Sequence, residues 1–174
     1  MILRGLAQLF SVLLHPLLLL TYILLLLMWA NPYYFGASRF QISGVLIFHV
    51  IFNTFLIPAI GALLLKFTGL ISSLEMKDRD DRIGPFIITG ICYLWIFWNL
   101  FQKSNAAPRI FVSFVLGATI SLFLAFFINI FSKISLHTTG MGGLLAVVAI
   151  LTADARTVVN MPMVLMIVIL SLFP

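Results

Sequence analysis

Residues 1–30 read "MILRGLAQLFSVLLHPLLLLTYILLLLMWA", and deciding what this stretch is decides the class of the whole chain. Its apolar part is longer than the 7–15 residues of a signal-peptide core and lacks a small-x-small cleavage site, so the sequence predicts a retained helix over 6–30. A helix needs roughly 20 apolar residues to cross a hydrocarbon core of about 30 Å. Further apolar runs follow at 42–65, 84–101, 110–132, 140–153 and 158–173. The fifth is short and the sixth carries Pro162. With 63% hydrophobic residues over 174 positions and mean hydropathy of +1.20, the expectation is an all-α, polytopic membrane bundle of about six transmembrane helices. No linker or charge block divides the chain, so residues 1–174 read as one integral-membrane domain.

The flanks of these runs agree. "WANPYYF", residues 29–35, places aromatic residues where a membrane interface holds them, and Asn31-Pro32 ends the first helix. The net charge is +5, but the Lys and Arg are scattered through short loops and form no basic stripe, which excludes a nucleic-acid partner. Cys92 is the only cysteine, so there is neither a disulfide framework nor a zinc-type cluster.

Parity assigns the loops to faces. Two crossings separate the amino terminus from the 66–83 loop, and two more separate that loop from the 133–139 loop, so all three share one face. That face holds Arg4, Lys66, Lys77, Arg79, Arg82 and Lys133, against Arg39, Lys103, Arg109 and Arg156 opposite. The excess leans toward a cytoplasmic amino terminus.

Within that face the charge is concentrated. "LEMKDRDDRIGP", residues 74–85, sets Lys77, Arg79 and Arg82 among Glu75, Asp78, Asp80 and Asp81, and Pro85 suits the first turn of the next helix. The plain reading is a solvated, self-neutralising loop that anchors two helices. The co-facial stretch "SKISLHTTGMGG", residues 132–143, holds His137 beside Ser135, Thr138 and Thr139, and its glycines at 140, 142 and 143 are expected to open a helix whose amides seat a phosphate.

Together the two stretches resemble the type 2 phosphatidic acid phosphatase family, membrane enzymes that hydrolyse lipid phosphates and diphosphates. Lys77 and Pro85 match the ends of that family's Lys-x6-Arg-Pro motif, with Gly84 in the arginine's place. Ser135 and His137 match Pro-Ser-Gly-His, with Ile134 and Leu136 in place of Pro and Gly. The third motif, Ser-Arg-x5-His-x3-Asp, has no counterpart: Pro162 lies six positions after Arg156, and no histidine follows His137. In the family a helical hairpin separates the second and third motifs. The runs at 140–153 and 158–173 would supply it, and the expectation is a longer natural protein whose nucleophilic histidine follows Pro174.

The resemblance implies roles for these residues. Lys77, Arg79 and Arg82 would hold phosphoryl oxygens, Ser135 would add hydrogen bonds, and His137 would be the general acid for the leaving lipid oxygen. It implies neither a metal nor another cofactor. The partners expected are the bilayer and a lipid phosphate or isoprenoid diphosphate, and the location is a bacterial inner membrane. A second enzyme reading makes Asp78, Asp80 and Asp81 magnesium ligands, as in membrane prenyltransferases, although that class uses two Asp-rich loops. A third reading is a non-catalytic protein that binds anionic lipid or serves as a transport or scaffold subunit.

His15, His49, Asn53, Asn99 and Asn129 fall inside predicted crossings, where ionisable and strongly polar groups draw functional suspicion. Hydrogen bonding between helices, or to backbone freed by proline, accounts for them more simply. Gly117, Ala118 and Ala125 in "GATISLFLAFFIN", residues 117–129, are expected to allow close helix packing.

Overall fold

Pro16 lacks an N–H and so suits the start of a helical turn. The computed structural model describes residues 15–30, 35, 39–74, 76, 78–103, 107–132 and 136–153. A tight turn over Pro16–Leu18 leads into α1, Leu19–Ala30. His15 caps that entry, its carbonyl accepting the N–H of Leu18 at 2.9 Å and its Nδ1 the N–H of Leu17 at 3.3 Å.

A long rod follows, built from α2 (Arg39–Ile51), a single wide π turn (Phe52–Leu56) and α3 (Ile57–Phe67). The π turn lies directly before Pro58, whose ring in a regular helix would meet the carbonyl four residues back and whose nitrogen donates nothing. Side chains repair the altered ladder: Asn53 Nδ2 donates to the His49 carbonyl at 2.9 Å and Thr54 Oγ1 to that of Val50 at 2.9 Å. Asn99 likewise donates to the Trp95 carbonyl within its own helix, at 2.8 Å. Asn129 differs from both. It is 2% exposed, and its Oδ1 has no hydrogen-bond partner among the described residues.

The rod ends in a Schellman cap. Gly69 takes φ +75°, its N–H reaches the Lys66 carbonyl at 3.1 Å, and the Leu70 N–H reaches that of Leu65 at 2.9 Å. Next come α4 (Asp80–Gln102), α5 (Arg109–Phe131) and α6 (Leu136–Ala153). Expected boundaries shift in two places. Helix α4 starts at Asp80, so Pro85 lies inside it rather than in its first turn; Asp80 and Asp81 instead occupy that turn, where carboxylates complement the helix dipole. Helix α6 starts at Leu136, so Gly140, Gly142 and Gly143 sit within it and cannot be the open amides of a helix start.

The fold is all-α, with no strand among the described residues. Three helices are long and apolar enough to cross a membrane: Gly44–Phe67, Asp80–Gln102 and Arg109–Phe131. At 1.5 Å per residue each is about 35 Å long, enough to span the hydrocarbon core. Of the other three expected crossings, the first is described as the shorter apolar stretch Leu19–Trp29 and the fifth as Thr138–Val147. The sixth, 158–173, lies outside the described residues, as do residues 1–14.

Helix α1 lies innermost. Leu20, Ile23, Leu24 and Leu27 are all but sealed from solvent and pack with Val50, Ile96, Phe111, Val115 and Val147. The outer surface is apolar as well, with Trp95, Trp98, Phe127 and Ile120 exposed, as a lipid-facing surface requires. Close approach of helices depends on three glycines. A Cβ at Gly61 would stand 2.9 Å from Ile88, one at Gly84 2.6 Å from Leu65, and one at Gly90 3.0 Å from Phe123. Gly117, by contrast, faces open space, with nothing within 4 Å of where a Cβ would stand. Its expected packing role is therefore corrected, and the reason lies in the site below.

Candidate functional site

The loop between α3 and α4 is shaped by its own charges. Asp81 reaches back from the first turn of α4 to Ser72, accepting the Ser72 N–H at 3.0 Å and a short hydrogen bond from the Ser72 hydroxyl. This carboxylate therefore clamps the loop. Met76 sits in the left-handed region at φ +48°, and its carbonyl accepts Arg82 Nε at 2.8 Å. Arg79 points elsewhere, donating through Nη1 to the Phe131 carbonyl at the end of α5, 3.3 Å away. A cation at a helix C-terminus satisfies an orphan carbonyl and complements the dipole. The same bond joins the 66–83 loop to the last residue of α5, two positions before the 133–139 loop.

Beneath this loop lies a cavity of about 880 Å³. Each surrounding helix contributes one face. Helix α4 supplies Arg82, Pro85, Phe86, Thr89 and Tyr93, a spacing that keeps all five on one side. Helix α5 contributes a matching row from Ile110 to Leu122 that includes Gly117 and Ala118, and α6 a row from Thr139 through Gly143 to Ile150. His15 and Leu17 close one side, next to Phe55 and Pro58. The rings of His15 and Phe55 meet edge to face, centroids 6.4 Å apart. Most of the lining is apolar. Arg82 and Met76 mark the end nearest the charged loop, while Ile110 lies at the other end of α5.

The predicted residues divide among three fates. Arg82 lines the cavity, as do Thr139 and Gly140 of the second stretch. Arg79 is turned toward the end of α5. Lys77 and Ser135 lie outside the described residues; His137 falls in the first turn of α6, its side chain likewise outside them. Gly84, in the arginine position of the first family motif, faces Leu65 of α3 and is not part of the cavity lining.

Sequence reasoning left out His15, Thr89, Tyr93, Ser113 and Ser121, which also line the cavity. His15 was visible as an intramembrane ionisable residue beside a proline. The other four carry no signal of their own, since Thr, Ser and Tyr on an apolar helix are common packing residues until a void is known beside them.

A guanidinium at one end of a long apolar cavity is matched by an anionic head on an apolar chain. A divalent metal has less to hold it: among the described residues no three His, Cys, Asp or Glu form a ligand group, and Asp81 is engaged with Ser72. No protein-family model, no curated protein and no solved structure matches this chain.

Proposed function

We propose that this chain is a membrane-embedded, phosphatase-like protein of a bacterial inner membrane, crossing it about six times and acting on lipid phosphates or diphosphates. The observation that carries the reading is Arg82 at the charged end of the cavity, with residues of the second stretch, Thr139 and Gly140, on the same wall. Arg82 binds the phosphoryl oxygens, with Lys77 and Arg79 adding positive charge from the same loop. Such groups act where charge develops during phosphoryl transfer, and positioning and electrostatics supply most of that catalysis. Ser135 hydrogen-bonds the phosphoryl group. His137 protonates the leaving lipid oxygen, a task suited to a side chain that titrates near neutral pH.

A second reading, non-catalytic binding of anionic lipid, needs only the largely apolar lining and Arg82 and no chemistry at His137. Phosphate release from phosphatidic acid and from an isoprenoid diphosphate, measured with full-length protein in nanodiscs, separates the two. The phosphatase reading expects release that survives chelator and falls about 100-fold or more in His137→Ala, the scale of a lost general acid. Undiminished release in His137→Ala would sink the acid assignment. Binding without release, lost in Arg82→Gln, would leave the non-catalytic reading.

A further inference from the structure

Two groups of glycines among the described residues differ in what surrounds them. Gly61, Gly84 and Gly90 are hemmed in by Ile88, Leu65 and Phe123, and each lets two helices approach. Gly117 and Gly143 have nothing within 4 Å of a would-be Cβ, and both line the cavity. They line it from α5 and α6 without bringing those helices together at either point, so what they preserve is the void.

That void is elongated. Its lining runs from Arg82 to Tyr93 along α4, from Leu122 back to Ile110 along α5, and from Thr139 to Ile150 along α6. Each row is about 16–18 Å of helix at 1.5 Å per residue. Because Arg79 ties the start of α4 to the end of α5, these rows run side by side from the charged loop inward. Counted from the Arg79–Phe131 tie, Gly117 lies about 16 Å below Arg82, level with Tyr93, while Gly143, in the second turn of α6, lies nearer the loop end.

We propose that the cavity is a bore taking one apolar chain of a lipid phosphate lengthwise, head at Arg82 and tail toward Ile110 and Ser113, with Gly117 and Gly143 setting the chain length admitted. The inference rests on the lipid-phosphate reading above for its headgroup and adds where the chain goes. The occupant follows from charge complementarity: the lining is mostly apolar, with hydroxyls spaced along it, and cationic at the loop end, which suits an anionic single-chain amphiphile. A side chain added at Gly117 or Gly143 projects into the bore and shortens it from within.

The test uses single-chain alkyl phosphates of increasing length, binding from water to the full chain held in amphipol. For the wild type, affinity is expected to rise about fourfold per methylene, the worth of one buried CH₂, and to level off when the tail reaches the end of the bore. Gly117→Leu and Gly143→Leu are expected to level off at shorter chains, losing about 10-fold or more for long chains while short ones bind as before. Gly117→Ala should move the plateau least. Identical profiles in wild type and both leucine variants would overturn the bore. Arg82→Gln should weaken every length equally; if it changes nothing while the plateau still shifts, the headgroup reading fails and the bore stands. Should a leucine variant misfold, the wild type decides: a diazirine at the chain terminus must label the Ile110–Ser113 segment, and labelling confined to the outward-facing Ile120 and Leu124 overturns the proposal.

Discussion

Arg79 donates through Nη1 to the main-chain carbonyl of Phe131, 3.3 Å away and 52 residues along the chain. This bond ties the charged loop to the end of α5, and so places the two stretches that parity assigned to one membrane face within reach of each other. It also removes one arginine from the inventory aimed at the cavity. Arg79→Gln is expected to cost about 0.3–1 kcal/mol, the range for a charge at a helix terminus, read from denaturant titration in detergent. A loss in lipid-phosphate binding as large as that of Arg82→Gln would show that Arg79 leaves Phe131 for the headgroup.

Sidedness is checked by labelling. Cys92 is buried, so the wild type gives a low background with a membrane-impermeant maleimide. Leu70→Cys and Ser132→Cys, both at exposed positions, are expected to label from the same side of oriented vesicles. Lys103→Cys should label only from the other. Opposite labelling of 70 and 132 would contradict the two intervening crossings, α4 and α5.

The Asp81–Ser72 clamp predicts non-additivity. Asp81→Ala should loosen the loop and speed proteolysis between Phe67 and Arg79, and Ser72→Ala should do so less, since its N–H still reaches the carboxylate. Because the two residues share one interaction, the double variant is expected to match Asp81→Ala alone. Fully additive effects would show that the two act independently.

The packing glycines give a graded series. At Gly61 a new methyl meets both Cδ1 and Cγ2 of Ile88 at 2.9 Å; Cγ2 is fixed to a branched Cβ and cannot swing away. Gly61→Ala should therefore destabilise by about 1–2 kcal/mol, overpacking exceeding the gain in helix propensity. Gly84→Ala meets chiefly the movable end of Leu65 and is expected near neutral. Gly84→Arg would write the family's Arg-Pro pair into the chain, yet the position faces Leu65 rather than the cavity. It should lower stability without raising lipid-phosphate affinity, and tighter binding would show that the added guanidinium reaches the headgroup.

Arg82→Gln is the central binding variant. It should weaken lipid-phosphate binding about 10-fold or more, with Arg82→Lys recovering only part, because lysine keeps the charge but not the planar fork whose Nε reaches Met76. The comparison is made by titrating lipid phosphate into nanodisc-held protein. Equal binding by wild type and Arg82→Gln would remove Arg82 from the site.

What the sequence by itself determined is what depends on neighbours along the chain. Apolar runs long enough to span a bilayer mark the long helices, because hydrocarbon leaves an isolated strand's backbone no partners. Counting crossings then puts the 66–83 and 133–139 loops on one face. Tertiary structure decided the rest. The start of α4 at Asp80 depends on a carboxylate finding Ser72 across the loop, and the π turn before Pro58 is a local accommodation with no hydropathy signature. Most of all, Gly84 and Gly117 look alike in sequence, each a glycine in an apolar helix. One is held against Leu65 and the other faces a void, because packing is a property of what lies opposite, and hydropathy records only what lies alongside.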